Sequence, residues 1–188
     1  MRVFIAIDIN EQIRASIRSL QHELAEAADI GGKEVKWVEP DNIHLTLKFL
    51  GEIKDTEVPD VCRMVESAVS LHRAFELSVE SLGHFGGRSA RVLWVGVSEG
   101  KEPLCALQGG IEAEMEKGGW PKEERSFTGH LTVCRIKNAK AGRRLAEMSA
   151  NYKDFKAGSV LVEAVKVYQS QLTPTGPIYS VLGSYPLQ

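Results

Sequence analysis

The sequence predicts a mixed α+β fold built on antiparallel sheets, and three observations predict it. Strand-like and helix-like segments are interleaved along the 188 residues rather than grouped. The stretches 74–97 and 159–186 read as hairpin-like strand pairs, which a parallel doubly wound sheet would not need. One tetrapeptide pattern occurs twice, about half the chain apart, as if two halves of similar build had been joined.

Each element follows from its pattern. Residues 2–9 (RVFIAIDI) are an apolar run of strand length. Residues 11–28 set Ile13, Ile17, Leu20, Leu24 and Ala27 at three- and four-residue spacing, a helix capped by Asn10 and stopped soon after by Gly31–Gly32. A short strand at 35–38 leads into the turn residues Pro40, Asp41 and Asn42. A strand at 43–50 ends at Gly51. Residues 57–72 carry Val58, Val61, Met64, Val65 and Val69 on one helical stripe. Strands at 74–82 and 90–97 flank a loop with Gly83, Gly86 and Gly87. A helix at 101–117, a strand at 129–137 and a short helix at 140–151 follow. Two strands, 159–170 and 177–186, close the chain around LTPTGP.

Composition limits the classes of function. A 43% hydrophobic chain buries a real core, and 26% charged residues is ordinary for a water-facing protein. A formal net charge of −2 argues against a general DNA or membrane binder, yet leaves room for a locally positive pocket. The opening apolar run is broken by Asp8 and reads as a buried strand rather than a secretory signal. No stretch approaches the roughly 20 apolar residues of a membrane span. Cys62, Cys105 and Cys134 are odd in number and scattered, so a disulfide framework or zinc site is not expected, and cytoplasmic localisation is.

The duplicated pattern is His44-Leu45-Thr46-Leu47 and His130-Leu131-Thr132-Val133. On a strand, alternate side chains share a face, so each His lies beside its Thr while the aliphatic residues face the core. If the halves pack with approximate two-fold symmetry, two imidazoles and two hydroxyls converge. That set suits phosphodiester chemistry: one imidazole acts as base and the other as acid, and hydroxyls donate to phosphate oxygens. No carboxylate cluster or H-E-x-x-H accompanies the pair, so nothing calls for a metal. A single such histidine is more often structural; the pairing is what favours catalysis. His22 and His72 read as helix-surface residues, and His84 as a solvated loop residue.

These motifs, with Arg-Val-Phe-Ile-Ala-Ile at the start, Trp37-Val38, Asn42 through Gly51, Arg91-Val92-Leu93-Trp94, Phe127 through Arg135 and Leu172-Thr173-Pro174 to Tyr179, resemble the two-histidine (2H) phosphoesterases. The likeness is to their RNA 2′,3′-cyclic phosphodiesterase, or 2′-5′ RNA ligase, branch, and it covers nearly the whole chain. One departure is Gly129, where that family usually has proline, which loosens the approach to His130. The resemblance implies one domain over 1–188. It would have two intertwined, pseudo-symmetric lobes whose antiparallel sheets line a central groove, with helices outside. It implies hydrolysis of an RNA terminal 2′,3′-cyclic phosphate to a 2′-phosphomonoester, with reversal as 2′-5′ ligation, and neither metal nor cofactor. His44 would be the proton donor and His130 the proton acceptor, with Thr46 and Thr132 holding phosphate. The expected substrates are RNA with a cyclic phosphate end, tRNA fragments among them, or small cyclic-phosphate nucleotides, for a monomer.

Further residues are weighed singly. Lys48 shares its predicted strand face with His44 and Thr46 and is a candidate phosphate contact. Arg91, Tyr179 and Trp37 are candidate substrate contacts, and Phe4 is expected in the core. The basic group Arg135, Lys137, Lys140, Arg143 and Arg144 either guides an RNA tail or forms a solvated face, the plainer reading. Two other readings stay open. One is a non-catalytic nucleotide- or RNA-binding module on the same fold, and the other a 2H enzyme for a different cyclic phosphate.

Overall fold

A computed structural model describes residues 1–30, 33–174 and 176–188. The strands are β1 (Arg2–Asp8), β2 (Val35–Trp37), β3 (His44–Glu52), β4 (Phe75–Phe85), β5 (Val92–Val97), β6 (His130–Ile136), β7 (Lys156–Val162), β8 (Ala164–Thr173) and β9 (Gly176–Pro186). The helices are α1 (Glu11–Ala28), α2 (Val58–Val69), α3 (Lys101–Lys117) and α4 (Ala139–Ser149). The fold is α+β, as expected. The strands form one antiparallel sheet in the order β7-β4-β5-β6-β3-β1-β8-β9, with β2 on β6.

Local chemistry accounts for the helix ends. The Asn10 side chain accepts from the Ile13 amide and starts α1. The helix stops at Asp29, whose left-handed backbone (φ 46) turns the chain out of line. The expected Gly31–Gly32 stop lies outside the described residues, as does Thr175 of the LTPTGP segment. Ile13, Ile17, Leu20 and Leu24 of α1 are buried, as their spacing requires.

The two halves meet at β3 and β6, where the registered pair is Leu45 opposite Leu131. Both leucines are fully buried. They are the middle residues of the two H-x-T copies, so the approximate two-fold passes through the motifs themselves. Elements of each half also contact the other. Strand β2 joins β6 of the second half, α1 packs on β7, and β8 and β9 return to β1. The strands also depart from the sequence reading in two places. The stretch expected as a single strand over 159–170 breaks at Glu163, and its parts part company. Strand β7 pairs with β4 at one edge of the sheet, while β8 pairs with β1 and β9 near the other. No Gly or Pro marks the break, because the chain is steered there by its partners on either side. The Gly83 region is also strand rather than loop: β4 continues to Phe85, and the Trp94 ring covers Gly83 where a Cβ would clash with it.

Candidate active site

The two motifs line one groove. His44, Thr46, His130 and Thr132 all border it, together with Arg2, Phe4, Lys36, Trp37, Phe49, Arg135 and Tyr179. With Leu45 opposite Leu131 in antiparallel register, His44 is set toward Thr132 and Thr46 toward His130.

The histidines are held in the same way. Nδ1 of His44 lies 2.9 Å from the Asn42 carbonyl oxygen, and Nδ1 of His130 lies 2.7 Å from that of Thr128. A carbonyl only accepts, so Nδ1 donates in both cases. This leaves Nε2 of each ring to take or give a proton. Their surroundings differ. His44 stacks on Phe4 at 4.6 Å between ring centroids and meets the edge of Tyr179 at 5.3 Å. His130 is flanked by Phe85 at 5.1 Å and Trp94 at 6.2 Å. Burial pulls the His44 pKa below its ordinary value, although the Asn42 carbonyl and the Asp8 charge pull the other way.

Asp8 is the registered cross-strand neighbour of His44. Its carboxylate accepts from Lys166 Nζ at 2.6 Å and from the Tyr168 hydroxyl. Burial would raise the Asp8 pKa, but these two hydrogen bonds and the charges of Lys166 and Arg14 outweigh it and hold the carboxyl below its usual range. Tyr168 is pushed upward by burial and by Asp8, and Tyr179 upward by burial, so both stay neutral phenols.

Both motif strands contain a bulge at the same place. On β3 the register slips so that Lys48 faces Ile5 and Thr46 faces Ala6, with Leu47 extra. On β6 Cys134 faces Leu93 and Thr132 faces Trp94, with Val133 extra. The side-chain pattern is therefore identical: His and Thr at the groove, then two successive buried residues, then Phe49 or Arg135 back at the groove.

This overturns the expectation for Lys48. Its side chain is turned into the core, 5% exposed, where Nζ meets Glu112 Oε2 at 2.7 Å and the Pro121 carbonyl at 2.9 Å. Phe49, 51% exposed, takes the groove position instead, with the Arg2 guanidinium 5.1 Å above its ring. Arg91 also stands outside the groove wall, whereas Trp37 and Tyr179 belong to it. Phe4 is only 3% exposed, as a core residue should be, yet it also stacks on His44 and borders the groove. The sequence reading missed Asp8, Arg2, Lys36 and Phe49. Alternation along β1 from Phe4 through Ala6 to Asp8 was a usable signal for the first; the bulge concealed the last.

The groove carries three cations, Arg2, Lys36 and Arg135, against one carboxylate, Glu39. A chain of net charge −2 thus presents a positive site for an anion. Among the described residues no group of three or more His, Cys, Asp or Glu is placed to hold a metal ion. Cys134, beside the second motif, is buried and its thiol is pushed up to about 12, so it is no nucleophile.

Comparison with known proteins agrees with this geometry. The family described as LigT like Phosphoesterase matches residues 7–94 and again 95–179, one match per H-x-T copy. The chain belongs to the LigT-like phosphoesterases. A curated relative of this phosphoesterase, RNA 2′,3′-cyclic phosphodiesterase of Methanothermobacter thermautotrophicus, is 35% identical over 96% of this chain and 95% of its own. The protein of that name from Archaeoglobus fulgidus is 33% identical over 97% and 98%. Among solved structures, a Thermus thermophilus protein superposes with a TM-score of 0.81 and 27% identity, covering 100% of this chain and 98% of its own. E. coli LigT in complex with 3′-AMP superposes with a TM-score of 0.80 over 99% and 97%; at 24% identity it speaks for the two-lobed fold alone. Among the described residues of this LigT-like phosphoesterase no helix is long and apolar enough to cross a membrane.

Proposed function

We propose that this LigT-like phosphoesterase opens the terminal 2′,3′-cyclic phosphate of RNA to a 2′-phosphomonoester, without a metal, through His44 and His130. The observation that carries the reading is the matched pair of imidazoles on one groove, each with Nδ1–H tied to a carbonyl and Nε2 left for proton transfer. The curated relatives named for this activity match nearly the whole chain and support the substrate.

In the proposed reaction Nε2 of His130 takes a proton from water as its oxygen bonds to phosphorus. The bond from phosphorus to the 3′ oxygen breaks, and protonated His44 delivers its proton to that oxygen. The Asp8 carboxylate across the strand favours the imidazolium that a donor needs, and an incoming phosphate adds to this. Thr46 and Thr132 donate to the phosphate oxygens, and Arg2, Lys36 and Arg135 offset its charge. Trp37, Phe49 and Tyr179 offer ring surface to a terminal base. With a 5′ hydroxyl in place of water, the same steps join it to the cyclic phosphate as a 2′-5′ link: His130 takes the hydroxyl proton, the 5′ oxygen bonds to phosphorus, and the 3′ oxygen leaves with the proton of His44. The reading takes the chain as one domain working as a cytoplasmic monomer, with tRNA fragments among its RNAs.

The test is hydrolysis of a short RNA ending in a 2′,3′-cyclic phosphate, with EDTA present. Wild type should release the 2′-phosphate, and His44→Ala and His130→Ala should each lose at least about 100-fold in rate. A folded wild type that leaves the substrate intact would overturn the proposal. Loss of turnover on adding EDTA would overturn metal independence.

A further inference from the structure

We propose that a basic strip running from the lip of the groove over the start of α4 is the track for the body of a single-stranded RNA whose end occupies the groove. The inference rests on the phosphodiesterase reading above and extends it to the length of the substrate.

The strip begins inside the groove wall. Lys36 on β2 is registered opposite Arg135 on β6, and both border the groove. Arg91 adjoins them, its carbonyl accepting from the Ile136 amide at 2.8 Å. The chain then leaves β6 through exposed Lys137 into α4. The loop between β4 and β5, which carries exposed Arg88, is seated on that helix. Ser89 Oγ donates to the Ala139 carbonyl at 3.1 Å, and the Ala90 amide to that of Gly142 at 3.1 Å. On α4 itself, Lys140, Arg143 and Arg144 lie at three- and four-residue spacing, which puts them in one exposed row. Ala141 and Leu145 are buried on the other side.

The strip is set apart by its one-signed run: between Glu124 and Glu147 the chain carries Arg125, Arg135, Lys137, Lys140, Arg143 and Arg144 and no carboxylate. Some exposed cations elsewhere are paired, Arg63 with Asp60, Lys117 with Glu114, Lys122 with Glu116 and Arg18 with Glu11, while others, Lys54, Lys101 and Lys153 among them, have no ion pair among the described residues. Among the described residues no ion pair ties Lys36, Arg88 or Arg91, nor Arg135, Lys137 or the three cations of α4. The acids nearby in sequence are Glu34, Glu39 and Glu147. Like charges at helical spacing destabilise a helix by about 0.2–0.5 kcal/mol per pair, so the row weakens α4 unless a polyanion lies on it. A phosphate backbone supplies such a polyanion, and the groove supplies its fixed end. Because the strip starts at two groove residues, the occupant is the same RNA rather than an acidic protein or a membrane.

The test neutralises only the far end of the strip: Lys140→Gln, Arg143→Gln and Arg144→Gln in one variant. Two substrates are compared, cytidine 2′,3′-cyclic phosphate and a single-stranded RNA of about 12 nucleotides ending in the same cyclic phosphate. The mononucleotide is too short to reach α4, so its kcat/KM should stay at the wild-type value and report an intact fold. With the RNA, KM should rise on the order of tenfold at low salt. The slope of log affinity against log salt should become shallower by roughly 2, about 0.7 per lost phosphate contact. Equal losses on both substrates, or an RNA KM and salt slope that do not move, overturn the track. If wild type hydrolyses neither substrate, the phosphodiesterase reading fails by itself. Fluorescence anisotropy with the same RNA then decides the strip: weaker binding by the variant supports it, and unchanged binding overturns it.

Discussion

Replacing Lys48 by Met separates a structural lysine from a phosphate-binding one. The substitution keeps the length of the side chain and removes its charge. In the fold the ammonium is 2.7 Å from Glu112 Oε2, with the two side chains 5% and 11% exposed. Glu112 is also held by Gln108 Nε2 at 3.2 Å and the Glu123 amide at 3.4 Å. Breaking a buried pair from one side typically costs about 3–5 kcal/mol, because the remaining charge stays desolvated without its partner. The neutral donors around Glu112 soften this, so the lower end, about 3 kcal/mol, is expected. That is a drop of roughly 100-fold in the folding equilibrium. Urea unfolding should show a lower midpoint with an unchanged m-value. Lys48→Met/Glu112→Leu should recover much of the loss, since two apolar residues replace the pair. Under native conditions kcat/KM for the cyclic phosphate should stay within a few-fold of wild type. A variant of normal stability whose kcat/KM falls about 100-fold would refute the reasoning and return Lys48 to the groove.

Other predictions concern protons and thiols. Asp8→Asn removes the charge that favours the His44 imidazolium, so the limb of the kcat/KM profile on which activity falls as pH rises should move to lower pH. An unmoved limb would show that Asp8 has no hold on His44. The same carboxyl, lowered in the fold, contributes stability that is present above its unfolded value of 3.8 and is lost as pH falls through the folded value; Asp8→Asn should flatten this acid limb in pH-dependent unfolding. His44 has a lowered folded pKa, so the folded state binds fewer protons than the unfolded one below pH 6.5. Its contribution is therefore full above 6.5 and lost as pH falls through the folded value, and His44→Gln should remove that slope. Iodoacetamide at pH 8 should modify exposed Cys105 and spare buried Cys134 without loss of turnover. Rapid labelling of Cys134 in the native protein would contradict its placement.

Much was legible in the chain itself. The α+β class and the spans of α1 and α3 follow from local periodicity, which any partner must respect. So does the pairing of His44 with Thr46 and of His130 with Thr132, because a strand puts alternate residues on one face. Trp37 and Tyr179 could be named as groove candidates because they adjoin conspicuous motif segments. What the chain did not display was anything set by a partner strand. Leu47 and Val133 are bulged because β1 and β5 pair past them, and nothing in HLTLKF or HLTVCR distinguishes a bulged residue from a regular one. That one-residue slip sends Lys48 to Glu112 and brings Phe49 and Arg135 to the groove. The break at Glu163 and the network from Asp8 to Lys166 and Tyr168 likewise join residues far apart in the chain. Local sequence determines which residues alternate and which elements form. Register, and with it which side chains meet, is decided only when the sheet closes.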